Sequence, residues 1–246
     1  MTVPLSQHQA EIRRNLEAWR AKPLLQQVYA DFYERILQWV DPTIPGRVVE
    51  VGSGIGNLKS RLANALATDL FCNPWLDVVC DGYELPFRRG SLSHLVLFDV
   101  FHHLQAPNAF LAEARRVLAP AGRLILFEPY ISWTSYAIYG LLHHEPVAWR
   151  QPISAADELP RPRDYYAAQG NATRLFFCNE WSHWPKGWQL LHAERFSCFY
   201  YLLSGGYSKQ AAYPAGALSA LRKFESLLSR WPRLFAGRCL ITLRPQ

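Results

Sequence analysis

A doubly wound, mostly parallel α/β sheet is the architecture this 246-residue chain predicts, and three observations carry it. The apolar, β-branched run Arg47–Val51 ends in glycines at alternate positions, Gly52, Gly54 and Gly56, as a parallel strand does when it feeds a tight turn. Short apolar strands alternate with helical patterns over residues 46–129 at the pace of βαβ units. His94–Val100 is nearly all apolar, as a strand covered on both faces must be.

The elements follow in order. Leu24, Val28, Phe32 and Ile36 recur every four residues, which predicts a helix beginning at Pro23 and ending before Asp41-Pro42. The more polar stretch before Pro23 predicts a further helix, with Ile12, Leu16 and Trp19 on one side. After strand Arg47–Val51, residues Leu58–Leu66 fit a helix, Ala67–Leu70 a second strand and Asp77–Cys80 a third. His94–Val100 is the fourth strand, Ala109–Leu118 a helix, Pro120-Ala-Gly122 a turn and Arg123–Phe127 the fifth strand. Residues 129–187 break this rhythm with many aromatics and prolines, and read as an insertion of short helices and loops over the sheet. Arg195–Leu203 predicts a strand and Cys239–Leu243 another. Between them Leu218, Leu221, Phe224, Leu228 and Trp231 mark an amphipathic helix whose expected role is packing on the sheet. The expected organisation is residues 1–45 as a helical cap, 46–128 as the core, 129–187 as a cover and 188–246 as the completion of the sheet.

The glycine turn asks for a nucleotide-like ligand, because its backbone can approach one closely and the following N–H groups are free to meet it. A dinucleotide fingerprint would read G-x-G-x-x-G, but Asn57 stands where its third glycine belongs. A phosphate loop would need G-x-x-x-x-G-K-[ST], which Lys59 does not complete. Asp69 closes the second strand, where a carboxylate can accept two ribose hydroxyls. Asp81-Gly82 closes the third and opens Asp81-Gly-Tyr-Glu-Leu-Pro-Phe87.

With these residues in place, Glu50-Val-Gly-Ser-Gly-Ile-Gly56 resembles the E/D-x-G-x-G-x-G motif of class I S-adenosylmethionine-dependent methyltransferases. The stretch from Asp81 resembles the "GDAExLPF" segment of that family. Leu92-Ser-His-Leu-Val-Leu-Phe98-Asp99-Val-Phe-His-His103-Leu and Ala112–Phe127 resemble its fourth strand, helix and fifth strand. The resemblance covers about residues 46–129 and is of the small-molecule, Methyltransferase-11-like type. It implies a Rossmann-like seven-stranded sheet and S-adenosyl-L-methionine as cofactor. It implies that Glu50, Gly52, Ser53, Gly54, Gly56, Asp69, Leu70, Asp81, Gly82, Phe98 and Asp99 bind that cofactor, with Asp69 on the ribose and Asp81 on the adenine amino group. One departure stands out: only Phe71-Cys-Asn-Pro-Trp-Leu76 separates the second and third strands, where the family usually has a helix. Trp75 or Tyr83 is the expected replacement wall for the adenosine, with plain core packing as the alternative.

A sulfonium methyl is already activated, so catalysis is mostly alignment of acceptor and methyl group. A hydroxyl acceptor needs a base near neutrality, for which His102, His103, His143 and His144 are the candidates. His102 and His103 serve equally well as groups that shape the pocket, and no metal is expected. The turn after the fourth strand is Asp99-Val-Phe-His rather than [DN]-P-P-[YF], and no Pro-Cys pair follows it, which argues against methylation of exocyclic base amines or glutamine amides and against 5-methylcytosine chemistry. The expected partner is a small-molecule acceptor, apolar, aromatic or anionic, methylated at oxygen. An RNA or protein methyltransferase and a non-catalytic cofactor-binding partner are the alternatives.

Composition sets outer limits. Half the residues are hydrophobic and 14% aromatic, which fits a packed core. No signal-like run opens the chain, no stretch reaches the about 18 apolar residues of a membrane span, and the five cysteines form no C-x-x-C pair, so a cytoplasmic protein with reduced, mostly buried thiols is expected. Residues 1–129 carry 13 Lys/Arg against 13 Asp/Glu, whereas residues 130–246 carry 13 against 7 and supply the whole net charge of +6. The excess is scattered single arginines rather than a block, so nucleic acid is not favoured as a partner. A membrane-surface role for the Leu218–Trp231 helix, with Arg222, Lys223, Arg230 and Arg233 beside it, is a further alternative.

Overall fold

In the computed structural model, which describes residues 5–142, 147, 149, 153, 170–178 and 187–246, seven strands form one sheet. Helices α1 (Leu5–Ala21) and α2 (Pro23–Leu37) precede β1 (Arg47–Val51), β2 (Leu66–Asp69), β3 (Val78–Val79) and β4 (Leu92–Phe98). Then come α3 (Pro107–Val117), β5 (Leu118–Pro129), α4 (Trp133–Leu142), α5 (Asn171–Phe177), β6 (Trp188–Phe196), α6 (Phe199–Leu203), α7 (Leu218–Leu228), α8 (Pro232–Phe235) and β7 (Arg238–Pro245). The order across the sheet is β3-β2-β1-β4-β5-β7-β6. The first five strands run parallel, and β7 is antiparallel to both β5 and β6. The expected doubly wound, mostly parallel seven-stranded sheet is therefore the one present.

The apolar strands have both faces covered, which is why they read as unbroken hydrophobic runs. Leu95, Leu97, Leu124 and Leu126 pack with Phe110, Leu111, Ala114 and Val117 of α3. The alternate residues Val96, Ile125 and Phe127 pack with Leu25, Val28, Phe32 and Ile36 of α2. Beyond α2 the chain is tied to the sheet: Asp41 donates its backbone N–H to His94 Nε2 (3.0 Å) and its carboxylate pairs with Arg123 (2.9 Å). Burial holds His94 down at about 4, so its ring stays a neutral acceptor.

Four expectations are corrected. The helix over Leu58–Leu66 is a single 3-10 turn, Asn57–Ser60, because β2 already starts at Leu66 and Ser60 Oγ back-bonds to Asn57 O (2.7 Å) in competition with further helix. The strand over Arg195–Leu203 is the end of β6 followed by α6. There the buried carboxylate of Glu225 accepts Tyr200 N–H at the helix start, and tertiary contact overrides the strand propensity of Phe-Tyr-Tyr. Pro120-Ala-Gly122 is a bulge rather than a turn between elements, since Leu118 faces Leu92 while Arg123 faces His94. The amphipathic helix is α7, which ends at Leu228: Leu218 is buried in it, but Phe224 within it and Trp231 beyond its end face outward. Cys198 and Cys239 are buried, Cys80 and Cys178 half-buried and Cys72 exposed, with no disulfide joining any of them. Among the described residues no helix is long and apolar enough to cross a membrane.

Candidate active site

The carboxyl ends of β1, β2, β4 and β5 converge on one edge of the sheet, the place where open α/β sheets bind ligands. There the turn after β1 places Gly52, Gly54 and Gly56 at positive φ. A Cβ on Gly54 would meet nothing within 4 Å, so its backbone faces open space, whereas one on Gly56 would press on Trp75 at 3.3 Å. Ser53 stitches the turn to β2: its N–H donates to Thr68 O (2.9 Å), and its Oγ accepts Thr68 N–H (3.0 Å).

Glu50, on β1, is buried, and one of its carboxylate oxygens has no hydrogen-bond partner. Burial pushes it up to about 8, a cost that its hydrogen bond to Ser53 only partly offsets. Asp69 Oδ2 accepts Gly54 N–H (2.9 Å), and Asn73 Nδ2 donates to Gly54 O (2.9 Å), so the contracted β2–β3 connection grips the turn from both sides. Leu70, half-buried, follows directly. Asp81 Oδ1 accepts Tyr83 N–H (3.0 Å) in an Asx turn beside Gly82. Tyr83 is not available as an adenosine wall: its ring lies in the core and its hydroxyl accepts Ala106 N–H (3.2 Å). Trp75, against Gly56, keeps that place.

At the end of β4, Asp99 is the one non-glycine residue at positive φ among the described residues, a conformation Asp tolerates better than most. It ion-pairs with Arg238 at the start of β7. The guanidinium lies 5.0 Å from the Tyr201 ring centroid and within 6 Å of Phe32, Phe98 and Phe127. Phe98 stacks on Phe127 (4.8 Å) and Tyr29 (5.3 Å), so it belongs to this aromatic packing.

Next to this pair Glu128, wholly buried, accepts the backbone N–H groups of Val100, Phe101 and His102 (2.8–3.2 Å) and lies 2.6 Å from His102 Nδ1. Burial lowers the basicity of His102, but the charge and hydrogen bond of Glu128 outweigh it and hold the ring above its ordinary value. His103, its ring 3.9 Å from that of His102, is held far below the ordinary value by burial and by its neighbour. His143 and His144 lie outside the described residues. Asp99, His102 and Glu128 form the one group among the described residues whose ligand atoms, all within 4.8 Å, could hold a metal. Each already has a partner, and Arg238 supplies the local positive charge, so the donor set fits an ion-pair network.

Sequence reasoning missed the tyrosines above this edge. Tyr29 of α2 meets Tyr201 and Tyr207, Tyr33 one turn on packs against Tyr29 and Phe98, and Asn57 Nδ2 donates to Tyr207 Oη (3.3 Å). Burial raises the pKa of all four, leaving neutral phenols. The i, i+4 spacing of Tyr29 and Tyr33 was a usable signal; nothing local links them to Tyr207.

A parallel sheet of this order with an antiparallel β7, a glycine turn after β1 and acids ending β2 and β4 defines the class I methyltransferase fold. The methyltransferase-domain family profile matches residues 49–126, and the chain carries a class I S-adenosylmethionine-dependent methyltransferase domain, whose cofactor is S-adenosyl-L-methionine. The chain is 28% identical over 120 residues to the mouse "Probable tRNA methyltransferase 9B", a match covering 43% of this chain and 27% of that protein. It is 33% identical over 96 residues to an uncharacterised 37.1 kDa protein of a Streptomyces fradiae transposon, covering 38% and 25%. The chain thus spans about a quarter of the length of the curated relatives it matches. A solved S-adenosylmethionine-dependent methyltransferase from Archaeoglobus fulgidus superposes with a TM-score of 0.51 at 13% identity, over 89% of this chain and 94% of that one, a likeness of fold.

Two features of the site fit the cofactor. The open space over Gly54 admits a ligand where any side chain would stand in its way. The unpartnered, buried oxygen of Glu50 beside that turn calls for a cationic donor, which the ammonium of a methionine moiety provides.

Proposed function

We propose that this domain methylates a small-molecule acceptor at oxygen, and that residues 129–187 and the N-terminal cap of residues 1–45 close over that acceptor. The observation that carries the reading is Glu50, a buried carboxylate with an unpartnered oxygen beside a glycine turn open to ligand. S-adenosyl-L-methionine, when bound, supplies a methyl group already activated toward nucleophiles. The chain binds and orients. Glu50 holds the ammonium end, Gly52, Ser53, Gly54 and Gly56 present backbone to the ligand, and Asp69 with Leu70 faces the ribose. Asp81 and Gly82 face the adenine, with Trp75 beside them. The neutral phenols of Tyr29, Tyr33, Tyr201 and Tyr207 exclude water and give an acceptor apolar edges with hydroxyl tips.

His102 is the base in this reading. Glu128 at Nδ1 fixes the tautomer and strengthens the ring as a proton acceptor, leaving Nε2 to take the proton of the acceptor hydroxyl. His103, whose basicity burial removes, shapes the wall. The test is turnover: incubate the protein and labelled cofactor with fractionated phenols, quinols and other hydroxylated metabolites, and measure S-adenosylhomocysteine and labelled product. O-methyl product lost in His102→Gln supports the reading; turnover undiminished in that variant contradicts the base.

An RNA acceptor is the second reading, favoured by the mouse relative named as a tRNA methyltransferase and by the basic second half of the chain. Transfer of label to bulk tRNA, with binding that weakens steeply in salt, would replace the first reading.

A further inference from the structure

From residue 195 to the end the sequence holds eight Lys/Arg and a single acid, Glu225. That acid is buried and spent on Tyr200 N–H, so the surface built by this segment shows no carboxylate side chain. On it α7 turns a second apolar stripe outward, Phe224 and Leu227, continued by Trp231 in the connection to α8 and by Leu234 of α8. Trp133 and Tyr136 of α4 extend this patch, since Thr134 Oγ1 donates to Leu234 O (2.6 Å) and binds the two helices together. These six side chains are 44–74% exposed, far more than a helix packed on its own sheet would leave. Lys223, Arg230 and Arg233 stand exposed along the stripe and have no ion-pair partner among the described residues, whereas Arg222 is taken by Asp31 (2.7 Å).

We propose that this face, α7 with α8 and α4, docks on an anionic lipid bilayer, its aromatic and leucine side chains entering the headgroup boundary and Lys223, Arg230 and Arg233 meeting lipid phosphates. Charge complementarity and the aliphatic members select this occupant. RNA would use the cations and could stack on the rings, but gives Leu227 and Leu234 nothing to enter. The patch adjoins the site's edge of the sheet: α8 ends three residues before Arg238, and α4 begins four residues after Pro129. A docked protein therefore presents its acceptor side toward the membrane. The proposal does not depend on methyl transfer.

The test is co-sedimentation of the full chain with vesicles of phosphatidylcholine alone and of phosphatidylcholine mixed with phosphatidylglycerol, with RNA mobility shift in parallel. Binding to the mixed vesicles only is expected, with a blue shift of tryptophan fluorescence. Each of Lys223→Gln, Arg230→Gln and Arg233→Gln should weaken it about fivefold, and Trp231→Ser with Leu234→Ser about tenfold or more. Far-UV circular dichroism checks that these surface variants stay folded. Absence of vesicle binding, binding untouched by both sets of variants, or RNA binding without vesicle binding would overturn the proposal.

Discussion

The carboxylate of Asp69 accepts the backbone N–H of Gly54 at 2.9 Å, so the acid that closes β2 also holds the glycine turn that follows β1. With Asn73 on Gly54 O, it substitutes for the shape that a full helix after the turn, and another between β2 and β3, would otherwise impose. This edge of the sheet is contracted, and a few side-chain-to-backbone hydrogen bonds set its geometry.

Asp69→Ala should therefore lose more than a ribose contact. It frees Gly54 N–H and loosens the turn, and affinity for S-adenosylmethionine should fall about a hundredfold, the combined effect of two charge-assisted hydrogen bonds. Asp69→Asn, which keeps an acceptor for Gly54, should lose less. Calorimetric titration of both variants checks the ranking; equal affinities would separate Asp69 from the site.

Glu50 links stability and binding with opposite signs. Its pKa is raised in the fold, so the native state favours the protonated carboxyl. The associated stability is present at low pH and declines as pH rises from about 4.5 to about 8. Glu50→Gln removes that decline: without cofactor, its melting temperature near pH 8 should equal or exceed that of the wild type. Cofactor affinity should drop about tenfold or more, because the charge that meets the ammonium is gone. Thermal scans across this pH range, with and without cofactor, read both effects.

The His102–Glu128 pair gives a pH signature of its own. A histidine held above the ordinary 6.5 contributes stability that is fully present below 6.5 and is lost as pH rises through its raised value. Activity should rise over that same range as the ring deprotonates. Glu128→Gln should move the rising limb to lower pH, slow turnover roughly a hundredfold and cost about 2 kcal/mol of stability, since an amide cannot satisfy all the donors converging there. A pH–rate profile and a urea melt check these outcomes; an unmoved limb would show that His102 is not the titrating base.

Local patterns carried the strand-and-turn framework of the proposed cofactor side. Arg47–Val51, the glycines after it and the acids ending β2 and β3 lie within short stretches whose spacing carries their role. The aromatic cluster over the end of β4 was not legible, because Tyr29, Tyr207 and Arg238 come from distant segments that only the fold brings together. Residues 199–203 misled because an aromatic run favours a strand in isolation, whereas Glu225 starts a helix there. Helical period found α7 but could not choose between its two apolar stripes, and Leu218 faces inward while Phe224 and Trp231 face out. The pairing of Glu128 with His102 was invisible for a simpler reason: a lone acid after an apolar strand has many uses.

Gly54 offers the most direct measurement of whether the turn is the cofactor site. At φ +53 with nothing within 4 Å of an added Cβ, Gly54→Ala meets no protein atom, and its backbone strain should cost about 1 kcal/mol. The new methyl would stand where the ligand approaches. Isothermal titration with S-adenosylhomocysteine should give one site in the wild type and, in a Gly54→Ala protein with unchanged circular dichroism, an affinity lower by about tenfold or more. Equal affinity in the two proteins, or no binding by the wild type, would contradict the assignment.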